Sequence, residues 1–334
     1  MQNPKVLITG GGGYLGLHTA LFLYKSGYHP LLIDQKKLDM PPSWSTYIMS
    51  DFANEKELRN IFLTQNISAV IHCAQAKQYQ NSILELYNTN VSKTIRLLEL
   101  MIDHHISQFI FCSSADVYNN QDDNTNQEKS TVNPETTHGK TKKIIESILY
   151  DLNKNYDLNY INLRFSTISG ALSPQLGFYN IDSSKSEISK LIHAFHTKEP
   201  YNIPGINYNT PDGTFIDDYI HIWDAAHAIQ LSLDHLNKKL PSDTFNISSG
   251  QKTSIKQLIN ILSSLTKQEI KTIISEPIAY RTAKKIVDPT HAHTILGWEA
   301  AHSSIKQIIQ SELQQYKYSV KSSAHNHIDL FFET

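Results

Sequence analysis

The sequence predicts an α/β fold: a doubly wound parallel sheet over the first half of the chain, followed by a smaller, discontinuous C-terminal domain. Short β-branched runs at 6–9, 31–34, 47–49, 69–73, 109–113 and 160–165 alternate with 3.6-periodic stretches near 14–26, 55–64, 84–104 and 137–154. That alternation is the signature of repeated strand–helix–strand units, whose right-handed crossovers lay helices on both faces of one sheet. After residue 165 the pattern loosens around Gly170, Pro174, Gly177, Pro200, Pro204 and Gly205, and helical periodicity returns near 224–236, 254–265 and 303–317. We expect a larger unit over 1–165 with contributions from about 214–247, a smaller unit over 166–213 and 248–318, and a tail over 319–334. The segment 119–133 is polar and aperiodic, so it is expected as a solvated surface loop.

With 334 residues, 40% of them apolar, the chain can bury one large core and one small one. A formal charge of −2 creates no field that would recruit nucleic acid or an anionic membrane. Only Cys73 and Cys112 are present, too few for a disulfide framework, which fits a reducing cytoplasm. No basic leader precedes the first strand and no run approaches ~18 apolar residues, so neither export signal nor membrane span is expected. The sixteen histidines are scattered without partners at ligand spacing, and no metal is expected.

Thr9-Gly10-Gly11-Gly12-Gly13-Tyr14-Leu15-Gly16 joins a strand to a helix. Glycines there let backbone N–H groups and the helix N-terminus approach a pyrophosphate. Asp34 follows at the end of the second strand, where a carboxylate accepts both adenosine ribose hydroxyls and repels a 2′-phosphate. The half is therefore Rossmann-type, with NAD the expected cofactor, held by Gly10, Gly13, Tyr14, Leu15, Gly16 and Asp34. Lys36 and Lys37 keep NADP open.

Further motifs carry a family resemblance from Lys5 to about Trp298. They are Ser50-Asp51-Phe52, Val70-Ile71-His72-Cys73-Ala74-Gln75-Ala76-Lys77, Asn90-Val91, the segments 109–118 and 133–142, Thr210-Pro211-Asp212-Gly213, Asp218-Tyr219-Ile220-His221, Asp288-Pro289 and Leu296-Gly297-Trp298. The chain resembles the UDP-glucose 4-epimerase-like branch of the extended short-chain dehydrogenase/reductase family. The resemblance implies adenine contacts from Asp51 and Phe52 and a cofactor wall from Cys73, Ala74 and Lys77. It further implies support from Asn90 and Phe165, and Lys142 on the nicotinamide ribose. In such enzymes a tyrosine takes the proton of the sugar 4-hydroxyl while NAD takes hydride, and a serine orders the hydroxyl. Ser114 and Lys142 match that set, whereas the tyrosine position reads His138 in His138-Gly139-Lys140-Thr141-Lys142. Imidazole titrates near ~6.5 and can accept a proton at neutral pH, although its different reach puts activity in question. Tyr118 could deputise, but a packing role is the commoner one for such a tyrosine.

The substrate half departs further. By resemblance Thr167 and Asp217 stand where an asparagine and an arginine meet the UDP diphosphate, Tyr219 follows, and a second arginine aligns near Ile278 with Arg281 as a replacement. An Asn-Asn-Leu segment is replaced by approximately Ser184-Lys185-Ser186, and Gln75 stands where glycine is usual. These departures leave three readings: an NAD-dependent sugar-nucleotide epimerase with an altered acid–base group, a catalytically impaired NAD-binding sensor or interaction protein, or a related oxidoreductase or dehydratase on another substrate. Val91, Ile95, Leu98 and Ile102, with Ile144, Ile145, Ile148, Leu149 and Leu152, form stripes at helical spacing. In the resembling family such helices pair across a two-fold axis, so a homodimer is expected.

Overall fold

The computed structural model describes residues 4–38, 41–76, 82–118, 125–171, 186–277 and 283–324. Its centre is a seven-stranded parallel sheet. In chain order its first six strands are β1 (Lys5–Thr9), β2 (His29–Asp34), β3 (Thr46–Met49), β4 (Ile67–His72), β5 (Gln108–Ser114) and β6 (Asn159–Phe165). Four short strands follow, β7 (Thr167–Ser169), β8 (Tyr201–Pro204), β9 (Ile216–Asp217) and β10 (Tyr219–His221), before the seventh sheet strand, β11 (Asp243–Ile247). The spatial order is β11-β6-β5-β4-β1-β2-β3. The order reverses between β1 and β4, so loops leaving those two strands diverge and open a crevice at their C-terminal ends.

Helices α1 (Tyr14–Lys25), α2 (Glu55–Thr64), α3 (Ile83–Tyr87), α4 (Lys93–Asp103), α5 (Thr137–Asn155), α6 (Glu187–Thr197) and α7 (Ile222–Asn237) cover the sheet or form the smaller unit. Alternation along each strand divides the core. Val6, Ile8, Leu32, Ile71, Ile110 and Ile161 pack toward α1 and α7, while Leu7, Leu31, Val70, Phe109 and Phe111 pack toward α2, α4 and α5. A strand buried on both faces must be apolar throughout, which explains the continuous runs read from the sequence.

The smaller core gathers Ile188, Leu191 and Ile192 of α6 with Tyr201, Ile203, Phe215 and Tyr219. Helix α8 (Ile255–Thr266) adds Ile255, Leu258 and Leu262. The chain continues through β12 (Thr253–Ser254, immediately before α8), β13 (Thr272–Ser275), β14 (Lys284–Lys285), α9 (Thr290–Leu296) and α10 (Ile305–Ala324), the last contributing Ile308, Ile309, Leu313 and Tyr316. The Thr-Pro-Asp-Gly stretch staples this unit. Asp212 accepts from the Thr214 backbone N–H at 2.9 Å and from the Ser254 hydroxyl at 2.5 Å. Gly213, at φ +79°, has no room for a Cβ, which would lie 2.2 Å from the Ile206 carbonyl oxygen.

Three expectations need correction. The helix expected over 84–104 is interrupted by a π-helical turn, Asn88–Ser92, between α3 and α4. Helix α6 went unnoticed, because loop signals surround it. Of the surface loop expected over 119–133, residues 119–124 lie outside the described residues, and the rest is at the surface but anchored: Asn126 bridges Val287, and Glu128 accepts from the Asn246 N–H at 2.7 Å. A polar stretch can seek backbone partners as readily as water.

Three buried histidines lock elements together, His18 and His72 within the larger unit and His221 between it and α10 of the smaller one. His18 Nδ1 lies 2.7 Å from the Tyr14 carbonyl; His72 lies between the Thr9 and Thr94 hydroxyls at 2.7 and 3.0 Å; His221 Nε2 meets the Ser311 hydroxyl at 3.0 Å. Burial lowers their pKa values from 6.5 to about 4, about 3 and about 4 respectively. All three are neutral in folded and unfolded chains above pH 6.5, so their contribution is complete there. Below 6.5 the unfolded imidazoles take protons first, and stability falls as pH drops toward 4. Chemical denaturation at pH 7.5 and 5 should show a lower midpoint at pH 5, with His18→Gln reducing that difference; equal midpoints would contradict this account.

Candidate active site

The glycine loop begins at the tip of β1. Gly10 takes φ +68°, and a Cβ on it would meet the Ala74 backbone at 2.7 Å; one on Gly16 would meet the Gly10 carbonyl oxygen at 2.2 Å. Only bare backbone lets α1 start this close to the strand. Gly13 caps α1 without a side-chain hydrogen bond, and the first turn carries no acidic residue, so Tyr14 and Leu15 open a helix N-terminus suited to an anion. The Tyr14 hydroxyl donates to the Gly170 carbonyl, linking this loop to the segment after β7.

Asp34 closes β2 beside the loop and accepts from the backbone N–H groups of Gly12 at 3.0 Å and Lys36 at 2.9 Å. Asp51 pairs with Lys93 and accepts from the Ala53 N–H at 2.9 Å. Phe52 is buried edge-on to His72. Cys73 and Ala74 extend from β4, and the Cys73 and Cys112 sulfurs lie 3.5 Å apart as free thiols. The π-helical turn turns Asn90 inward, where its amide accepts from the Ala76 N–H at 2.8 Å and donates to Thr141 at 3.2 Å. Such turns recur where a helix must aim a functional side chain. Phe165 ends β6 within the core. These residues form a cradle suited to a dinucleotide: an uncapped helix start, backbone approach that a methyl group would obstruct, and a carboxylate at the end of β2.

Ser114 ends β5, and its hydroxyl accepts from the Asp116 N–H at 3.1 Å. His138 and Lys142 lie one turn apart on α5, the spacing that puts two side chains on one helix face. Lys142 is buried and donates to the Cys112 carbonyl at 2.6 Å; burial lowers its pKa to about 8. His138 keeps part of its surface open, yet dense surroundings lower its pKa to about 4. Desolvation is the largest cause, Asp116 acts the other way, and Lys142 and Lys285 reinforce the lowering. The imidazole is therefore neutral at pH 7.

Beneath this strip Glu146, one turn after Lys142, joins Arg164 at 2.6 Å and accepts from the Ser113 hydroxyl at 2.5 Å. Arg164 also donates to the Tyr118 hydroxyl at 2.7 Å, which donates to Asn246 at 2.8 Å. Burial raises the Tyr118 pKa to about 12. Tyr118 is thus a packing residue and does not deputise for the missing tyrosine.

The substrate-side residues are distributed unevenly. Thr167 donates to Asp217 at 2.9 Å, and Asp217 is buried with Lys285 at 3.7 Å. Tyr219, only 2% exposed, fills the smaller core rather than facing a ligand. Lys77, Ser184, Lys185, Ile278 and Arg281 lie outside the described residues. Two residues escaped the sequence reading. Lys285 approaches both Asp116 and Thr167 at 3.3 Å. The signals were the paired Lys284-Lys285 just before Asp288-Pro289 and the aspartate two places after Ser114. Among the described residues no group of three or more histidine, cysteine or acidic side chains could hold a metal, and no helix is long and apolar enough to cross a membrane.

A glycine-loop cradle with serine and lysine at the C-terminal edge of a doubly wound sheet defines an extended short-chain dehydrogenase/reductase. The family model "NAD dependent epimerase/dehydratase family" matches residues 6–248. The chain belongs to that family, whose cofactor is NAD. It is 31% identical over 319 residues to UDP-glucose 4-epimerase of Halalkalibacterium halodurans, covering 93% of this chain and 95% of that protein. With UDP-glucose 4-epimerase of Dictyostelium discoideum it shares 32% identity, covering 90% and 92%. Among solved structures, UDP-glucose-4-epimerase from Stenotrophomonas maltophila with bound NAD and formylated UDP-arabinopyranose superposes with a TM-score of 0.88 at 26% identity, covering 97% of this chain and 100% of that one. The Bifidobacterium longum UDP-glucose 4-epimerase in complex with NAD+ and UDP gives 0.85 at 26% identity, covering 94% and 98%.

Removing one partner of a buried ion pair leaves the other charged and desolvated, at a cost of about 3–5 kcal/mol. Glu146→Ala should lose stability of that order in urea unfolding, against a much smaller loss for Glu55→Ala on the exposed face of α2. Equal losses would show that the Glu146–Arg164 pair does not anchor α5.

Proposed function

We propose that the chain is an NAD-dependent sugar-nucleotide epimerase of the UDP-glucose/UDP-galactose type, working through a transient 4-keto sugar with His138 at the proton-transfer position. The observation that carries this reading is the placing of Ser114 at the C-terminal end of β5, one strand from the crevice between β4 and β1, with His138 and Lys142 on one face of α5 and Lys142 bonded to the Cys112 carbonyl of β5. Bound NAD supplies reversible hydride acceptance. The protein's part is to hold and move a proton. Neutral His138 has a free nitrogen lone pair to accept it, the Ser114 hydroxyl orders the sugar hydroxyl, and Lys142 supplies hydrogen bonds and positive charge at the ribose. Thr167 and Asp217 are proposed on the substrate side, with Lys285 offsetting the aspartate charge that would otherwise oppose a diphosphate, and Arg281 is proposed as a further cation. We assign NAD binding to 1–165 with 214–247, and substrate binding to 166–213 and 248–318. The two free thiols suit a reducing cytoplasm.

A ligand that binds only the native state stabilises it by ~2.7 kcal/mol at a hundredfold excess over Kd. Protein freed of cofactor should therefore melt higher with NAD, and higher again when UDP-glucose or UDP-galactose is added. The unmodified protein should interconvert the two sugars, and His138→Ala should lose ~10²-fold or more in kcat/KM. Stabilisation by NAD alone, with no turnover even in the double variant His138→Tyr with Asp217→Arg, would favour the sensor reading.

A homodimer is part of this proposal. Leu98, Ile145 and Leu149 enter the core, whereas Val91, Ile95, Ile102, Ile144, Ile148 and Leu152 remain partly exposed on α4, α5 and the π-helical turn. Light scattering should give twice the 38.0 kDa chain mass, and Ile148→Glu should return it to one. A 38.0 kDa species in the unmodified protein would refute the dimer.

A further inference from the structure

The chain has two cysteines, 39 residues apart, and the fold brings their sulfurs to 3.5 Å from one another. The sheet register accounts for the meeting. Strands β4 and β5 run parallel with Ile71 beside Ile110 and His72 beside Phe111, and the next step along both sets Cys73 beside Cys112. The Cys73 N–H still donates to the Thr9 carbonyl at 3.1 Å, so strand geometry persists through it. Residues level on neighbouring parallel strands point to the same face, and both cysteines pack on the side of the α1 and α7 core. Strands ~4.8 Å apart place the two Cα atoms within the ~4.4–6.8 Å that a disulfide spans, so side-chain rotation suffices to close a bond of ~2.05 Å. The pair is asymmetric: Cys112 is 5% exposed, whereas Cys73 is only partly buried.

We propose that Cys73 and Cys112 form a reversible thiol–disulfide pair, oxidised by hydrogen peroxide that reaches Cys73 first. The Cys73 sulfur attacks the O–O bond, becomes a sulfenic acid and releases one water; the Cys112 sulfur then displaces the hydroxyl, the S–O bond breaks, the S–S bond forms and a second water leaves. Peroxide takes two electrons from the two sulfurs, and both thiol protons end on water. A dithiol reductant returns the electrons and reopens the bond. The neighbouring Cys112 thiol and burial push the Cys73 thiol up, with Lys142 acting the other way. Since the thiolate is the attacking form, closure is slow at neutral pH and quickens as pH rises. The site matters because of what its two ends hold. Cys73 leads into Ala74, whose backbone abuts Gly10, and the Cys112 carbonyl anchors Lys142, so the bond ties the glycine-loop abutment to the lysine anchor whatever the substrate.

The test is intact-mass and peptide mass spectrometry of the full-length protein after treatment with hydrogen peroxide, with thiols counted in parallel. The chain should become lighter by two hydrogen atoms, lose both free thiols and yield a peptide joining Cys73 to Cys112. Dithiothreitol should reverse all three changes, and closure should be faster at about pH 9 than at about pH 7. Cys112→Ser should stop at the sulfenic acid on Cys73, which dimedone traps, whereas Cys73→Ser should leave Cys112 unlabelled. A chain that keeps both thiols, gains oxygen without losing hydrogen, or joins a second chain through a disulfide on a non-reducing gel would overturn the pair. Equal dimedone labelling of the two variants would overturn Cys73 as the first sulfur oxidised.

Discussion

Everything in the larger unit depends on how closely backbone can approach backbone where β1 passes into α1. The Gly10 carbonyl lies against Gly16, and Gly10 itself lies against Ala74 at the end of β4. That contact brings the start of α1 over the strand ends, and the reversal of strand order beside it opens the crevice. The candidate nucleotide cradle and the candidate active-site residues both follow from this geometry, because β4 and β5 deliver Cys73, Ala74 and Ser114 to the same edge. Helix α5 then needs only one face to bring His138 and Lys142 alongside.

Charge in the site is arranged by depth. At the bottom, the Glu146–Arg164 pair and the Tyr118–Asn246 hydrogen bond satisfy one another and face no ligand. Above them Lys142, nearly enclosed, donates to a carbonyl and keeps a lowered pKa. Highest lie Asp116 and Lys285, both partly exposed, with Lys285 3.3 Å from Asp116 and 3.7 Å from the buried Asp217.

The parallel sheet was legible in the sequence because its central strands are buried on both faces and read as unbroken apolar runs, and the glycine loop because no other residue type tolerates its contacts. Ser114, His138 and Lys142 were named through the family resemblance that the segments 109–118 and 133–142 carry. Lys285 and Asp116 were not, since their meeting depends on β14 lying beside β9, a pairing between segments about 70 residues apart with no local pattern. Tyr219 was misjudged for a related reason. Its place in a motif with Asp218 and His221 marks a strand end packed into the smaller core, and sequence alone does not separate a motif that supports a site from one that touches a ligand.

The π-helical turn at Asn88–Ser92 amounts to one surplus residue wound into a helix. An α-helix advances about 100° per residue, so the surplus rotates α3 relative to α4 by about that angle. This offset separates two demands on one stretch of chain: α4 can keep its apolar side against the sheet while Asn90 points toward the glycine loop's neighbour, Ala76. Deleting one residue here would heal the helix and force a choice between those two faces. The segment is therefore a place where chain length itself is part of the site, and where substitutions would be borne more easily than a change of length.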